Sequence, residues 1–153
     1  MNHRSTLVER LEANVDRSGG PDACHPFTGA LTEQGYARMY RGPGLPIIYA
    51  HVAAWVAVNG PVPDGLVLDH VAARGCTMRH CCNVAHLEHV TQRENLLRGD
   101  GFVGRNARKT HCKNGHRFDW QNTRTGRSGR RDCRACDRAS SYRYWHRKKE
   151  AAS

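Results

Sequence analysis

Several things are scarce or absent in this sequence of 153 residues. Apolar residues make up 39% and aromatic residues 7%, and the mean hydropathy is −0.72. A chain this poor in apolar side chains builds only a thin hydrophobic core and calls for other staples. The N-terminus, MNHRSTLVERLE, has no apolar stretch of the kind that marks a secretory signal. The most apolar run, GLPIIYAHVAAWVAV, is too short to span a bilayer and contains His51. These features predict a cytoplasmic chain with no membrane association. No internal repeat is long enough to suggest a solenoid. Acidic residues are nearly missing from one half. Residues 98–149 hold 16 Lys and Arg against 4 Asp and Glu, whereas residues 1–97 hold 8 against 9. A basic half of this density predicts a polyanionic partner, most simply nucleic acid.

What is plentiful is cysteine, with seven in all. In a reducing compartment clustered cysteines serve as metal ligands more often than as disulfides, and an odd number fits disulfides poorly. Cys112, His116, Cys133 and Cys136 read C-x3-H…C-x2-C, a strong zinc pattern. Cys76, Cys81 and His86 supply three more ligands. A structural zinc takes four, and Cys24 is the only upstream cysteine, which predicts a site of Cys24, Cys76, Cys81 and His86. His80 is a weaker alternative, and Cys82 is left without a ligand role. Two zinc ions per chain are therefore expected.

The remaining elements follow from local pattern. Residues 5–15 have apolar positions spaced for a short helix. Residues 34–50 predict a hairpin turning at Gly42-Pro43-Gly44, and His51–Val58 a helix stopped by Asn59-Gly60-Pro61. Gly65–Leu68 is a short strand delivering Asp69 and His70, followed by an irregular loop over 71–85 and a second strand at Leu87–Val90. Thr91-Gln92-Arg93-Glu94 is a capping box that starts a helix ending at Gly99. The order strand, metal-rich loop, strand, helix predicts a ββα unit within an α+β fold of short antiparallel strands. The chain divides into an N-terminal helical segment (1–22), a core with the first zinc site (23–99), a linker (100–110), a C-terminal zinc unit (111–137) and a basic tail (138–153).

Asp69, His70 and Asn95 are the residues that suit phosphodiester hydrolysis. A neutral histidine takes a proton from water near pH 7. A carboxylate and an amide oxygen suit Mg²⁺ or another hard divalent cation. Strand alternation sets His70 on the opposite face from Asp69, free to act as a base without ligating the metal.

The DH pair at 69–70, CCNVAHL at 81–87 and VTQREN at 90–95 resemble the ββα-metal nucleases: the HNH endonucleases and the related His-Cys box homing endonucleases. Ala50-His51 and the GPVPDGLVLDH approach extend the likeness, which spans roughly residues 24–136. The resemblance implies a metal-dependent DNA endonuclease of phage or homing type, acting in a bacterial or phage-infected cell. It implies His70 as general base, Asp69 and Asn95 as holders of the catalytic metal, double-stranded DNA as substrate, and 5′-phosphate and 3′-OH products. It also suggests that Arg38 contacts the scissile phosphate, and a homodimer is compatible with cutting both strands. One departure stands out: Cys76 lies six residues after His70, where the family pattern has two. Asn83, the obvious middle letter of the motif, is expected to brace the loop through backbone contacts. The competing reading is a non-catalytic zinc-finger DNA-binding protein, which would have no need of Asp69, His70 and Asn95.

Overall fold

The computed structural model describes residues 5–152 and divides the chain into two compact units, residues 1–95 and 96–153. The first begins with helix α1 (Leu7–Glu12). Thr6 caps it: the Glu9 N–H donates to the Thr6 hydroxyl at 3.2 Å, and the Thr6 N–H donates to the Glu9 carboxylate at 2.7 Å. This is a second capping box, unremarked in the sequence reading, and it satisfies two otherwise orphaned amides. Strands β1 (Arg38–Met39) and β2 (Ile48–Tyr49) pair antiparallel, Arg38 opposite Tyr49, as the hairpin expectation requires. Helix α2 (Ala50–Asn59) follows directly and ends at Gly60, whose φ of +81° continues no helix.

Strands β3 (Leu66–His70) and β4 (Leu87–Thr91) form the second hairpin, with Asp69 opposite Glu88 and His70 opposite Leu87. The strand thus runs through the Asp-His pair instead of stopping before it. Helix α3 (Gln92–Arg98) leaves β4 without a loop. Its capping box is formed: Glu94 N–H donates to the Thr91 hydroxyl at 3.2 Å, and Thr91 N–H donates to the Glu94 carboxylate at 3.0 Å. The ββα order is as the sequence predicts.

The core of this unit gathers Leu11, Phe27, Ala37, Met39, Ala50, Ala53, Ala54 and Cys82, with Leu7, Val15, Ile48 and Val84 packed around it. Alanines on α2 let the helix lie close to its neighbours. Leu11, one of the most buried side chains, comes from the 1–22 stretch read from sequence as a separate N-terminal segment. Cys82 is a core residue, and burial pushes its thiol up to about 12, so it behaves as a small hydrophobe.

The second unit contains α4 (Phe102–Arg108), the hairpin β5 (Thr123–Thr125) and β6 (Arg131–Cys133), and the long helix α5 (Arg134–Glu150). One expectation changes here. Most of the stretch read as a linker is α4, whose Arg108 donates to the Leu97 and Gly99 carbonyls and pairs with Asp100 at 2.8 Å. Residues 138–150 of the basic tail lie in α5, the helix that also carries Cys136. Among the described residues of this unit only Gly104 and Cys133 are buried. No helix among the described residues is long and apolar enough to cross a membrane.

Candidate active site and metal centres

Cys24, Cys76, Cys81 and His86 converge, their ligand atoms all within 4.8 Å of one another. Zinc bonds of about 2.0–2.3 Å in a tetrahedron place ligand atoms about 3.5–3.8 Å apart. The Cys24 sulfur lies 3.9 Å from that of Cys76 and 3.6 Å from His86 Nδ1, and the Cys81 sulfur is also 3.6 Å from His86 Nδ1. The donor set and its spacing fit a tetrahedral soft-metal ion. The outer shell fits as well. His86 Nε2 lies 3.1 Å from the Asp22 carbonyl, which can only accept, so Nε2 carries the proton and Nδ1 keeps its lone pair for a metal. The Thr77 and Asn83 N–H groups donate to the Cys24 and Cys81 sulfurs, each at 3.4 Å. Burial pushes the Cys24 thiol up, but the hydrogen bonds around it, the Thr77 N–H first among them, bring it down to about 6, in the thiolate range. His80 is not among the four.

Asn83 is 5% exposed and fully engaged. Its amide nitrogen donates to the Pro21 and Ala23 carbonyls at 2.8 and 2.7 Å, and its carbonyl oxygen accepts from Ala85 N–H at 3.0 Å. It ties the segment bearing Cys24 to the loop bearing Cys81 and His86, which is the bracing role expected of it. Both N–H groups of the amide are thereby committed to the loop.

The second quartet, Cys112, His116, Cys133 and Cys136, also lies within 4.8 Å. His116 Nδ1 is 3.5, 3.6 and 3.3 Å from the sulfurs of Cys112, Cys133 and Cys136. Asn114 and Asn122 surround it. Asn114 donates through its backbone N–H to Cys112 and through its side chain to Cys136, and the Asn122 side chain donates to Cys133. Gly115, at φ +79°, makes the tight turn between Cys112 and His116.

The Asp69–His70 pair ends β3. Residues directly opposite in an antiparallel pair share a face. His70 therefore lies on the side of Leu68 and the almost fully buried Leu87, and Asp69 on the side of Glu88, in line with the expected alternation. Arg74 pairs with Glu88 at 3.1 Å and donates to the Leu87 carbonyl at 2.9 Å, fastening the loop to β4. His70 Nε2 lies 3.1 Å from the Cys81 carbonyl. By the same reasoning as for His86, Nε2 is the protonated nitrogen and Nδ1 carries the lone pair. Burial holds the His70 pKa below the ordinary histidine value, so the ring is neutral at pH 7. Cys81 thus belongs to two sites at once. Its sulfur is a metal donor, and its carbonyl sets the tautomer of His70.

Sequence reasoning missed the rings around His70. His51, 5% exposed, has its ring centroid 4.7 Å from that of His70. Tyr49 stacks on His51 at 5.7 Å, and Tyr36 lies 6.0 Å from His51 and 6.4 Å from His70. Burial, and then His70, drive the His51 pKa down to about 3, so two imidazoles sit together without both being charged. The buried His51 Nδ1 has no hydrogen-bond partner among the described residues. Arg79 lies over the Tyr36 ring at 5.7 Å. Arg38, opposite Tyr49 in the hairpin, is exposed and shares that face. The signal for this cluster is the alternation Tyr36, Arg38, which becomes informative once the hairpin register is known. Asn95 is half-buried, in the first turns of α3.

Comparison with known proteins points the same way. Residues 48–97, about a third of the chain, match the HNH endonuclease family. Over 48 residues the chain is 38% identical to the "Uncharacterized gene 5.3 protein" of Enterobacteria phage T3, an alignment covering 31% of this chain and 44% of that protein. The chain therefore spans less than half the length of that relative. No solved structure matches the chain. The matched stretch runs from β2 to α3 and contains His51, Asp69, His70, Asn83, three donors of the first metal quartet and Asn95, so the residues around His70 lie within the part of the chain that is similar to the HNH endonuclease family.

Proposed function

We propose that the protein is a metal-dependent DNA endonuclease in which His70 is the general base. The observation that carries this reading is the 3.1 Å contact from His70 Nε2 to the Cys81 carbonyl, which leaves Nδ1 as a basic nitrogen on a ring held neutral at pH 7. His70 would take a proton from the attacking water at Nδ1. Asp69 and Asn95 would hold Mg²⁺ or another divalent cation through one carboxylate and one amide oxygen, a hard donor set separate from the Cys/His quartets. Such a cation, when bound, neutralises charge on the scissile phosphate and the departing 3′ oxygen. Arg38, on the hairpin face beside Tyr49, would hold the phosphate, and hydrolysis would leave 5′-phosphate and 3′-OH ends. The two quartets would bind structural zinc. Double-stranded DNA is the proposed substrate, in the cytoplasm of a bacterial or phage-infected cell, and a homodimer would supply a second active site for the other strand.

The test is supercoiled plasmid incubated with Mg²⁺. The unaltered protein is expected to nick or linearise it, and EDTA to stop the reaction. His70→Ala is expected to lower the rate by about 10²–10⁴-fold, the usual contribution of a general base. A protein that binds DNA without cutting it would support a non-catalytic zinc-finger binder. Full activity in His70→Ala would remove His70 from the mechanism.

A further inference from the structure

Helix α5 (Arg134–Glu150) carries a feature that phosphodiester hydrolysis does not use. Arg134, Arg138, Tyr142, Trp145 and Lys149 recur at spacings of four, four, three and four residues, and so form one line along the helix. Cys136, Ser140, Arg143 and Arg147 form a second line on roughly the opposite side. Cys136 is a donor of the second quartet, so the metal centre anchors that second side and turns the first outward. The helix beyond Cys136 is exposed along its length, with Tyr142 at 65% and Trp145 at 62%.

The outward line holds three cations, two aromatic rings and no acid. The two acids of the helix lie elsewhere, and one of them, Asp137, is paired with Arg124 at 3.1 Å. The rings are also ordered by their neighbours. Tyr142 sits against His146 with centroids 4.0 Å apart, and the Lys148 ammonium lies 5.5 Å from the Trp145 ring centre. Cations alone would suit the phosphates of a duplex. Large rings left in water among those cations suit something more: bases whose faces are open to stack while the adjoining phosphates meet arginine and lysine. A second copy of the same surface is a poor occupant, because it would set Arg134, Arg138 and Lys149 against their own counterparts.

We infer that the outward face of α5 is a binding surface for single-stranded DNA, with Tyr142 and Trp145 stacking on unpaired bases and Arg134, Arg138 and Lys149 on the flanking phosphates. This rests on the proposal that the chain acts on DNA, but not on the chemistry at His70.

The experiment measures binding of a short labelled single strand, and of the duplex of the same sequence, by fluorescence anisotropy over a range of salt. The His70→Ala protein is used so that no cleavage intervenes. In that background Tyr142→Ala with Trp145→Ala is expected to weaken single-strand binding about ten- to a hundred-fold, with the duplex little affected. Arg138→Ala with Lys149→Ala is expected to reduce the salt slope on the single strand by about 1.4, at about 0.7 per phosphate contact. Tryptophan fluorescence is expected to be quenched by the single strand and less so after Trp145→Phe. Zinc content of each variant establishes that the second unit remains folded. Unchanged single-strand affinity after loss of both rings, or an equal loss on duplex, overturns the inference. Plasmid cleavage by the unaltered protein is read separately, so failure of the nuclease proposal and failure of this surface give different results.

Discussion

At the scale of single residues, two histidines in this fold follow one rule. His86 and His70 each place Nε2 3.1 Å from a backbone carbonyl, of Asp22 and Cys81 respectively, and so each keeps the Nδ1 lone pair. For His86 that lone pair is aimed at sulfurs, where it completes a metal quartet. For His70 it is the lone pair proposed to take the proton of water. Asn83 holds the two arrangements in register, because its side chain joins the 21–24 segment to the 81–86 loop. Asn83→Ala would remove the amide that ties the Pro21 and Ala23 carbonyls to the loop, and an ordinary hydrogen bond lost costs about 0.5–1.5 kcal/mol. The variant is expected to melt at lower temperature and to release zinc to a chelator faster, with cleavage falling in proportion to the folded fraction. Normal stability and zinc retention combined with a complete loss of cleavage would instead make Asn83 a participant in the chemistry.

At the scale of elements, the ββα unit was legible because each of its parts has a local cause. Apolar strands flank a polar loop, and Thr91 and Glu94 mark the start of α3. Ligand spacing likewise identified both quartets, Cys24 included, because tetrahedral coordination demands a fourth donor and few were on offer. Three things were not legible, for physical reasons. The ring cluster of Tyr36, Tyr49, His51 and His70 depends on the register of a hairpin and its approach to another strand, neither of which is a local property. Helix α4 has three glycines around it and is held by Arg108 contacts to carbonyls before it, so its composition reads as a linker. The role of α1 depends on its packing. Leu11, 2% exposed, belongs to the same cluster as Ala50, Ala53 and Ala54 of α2, the helix whose start carries His51. Leu11→Ala is expected to destabilise the first unit by about 2–5 kcal/mol, measured by denaturant unfolding. A loss below 0.5 kcal/mol would mean that α1 is dispensable to this core.

At the scale of the whole molecule, the two units are stabilised by different means. The first has a small apolar cluster and a metal quartet. Among the described residues of the second, Cys133 is the one with a buried side chain. Its hydrogen bonds and ion pairs are mostly exposed, as between Arg130 and Asp132 or Arg124 and Asp137, and such pairs contribute little each. A helix of the length of α5 is marginal in water without packing. The charge of this unit also works against compaction, with 16 Lys and Arg against 5 Asp and Glu over residues 98–153. We therefore propose that a metal held by the Cys112–His116–Cys133–Cys136 quartet is what folds it, its binding energy serving as folding energy. Each quartet lies wholly within one unit. Elemental analysis is expected to find two zinc ions in the unaltered protein and one in Cys133→Ser. Trypsin should then cut the variant at its many basic sites beyond Leu96 while the first unit persists as a fragment, with a matching drop in helical circular dichroism. Two zinc ions retained by Cys133→Ser, or a second unit as protease-resistant as before, would show that something other than this metal centre holds residues 96–153 together.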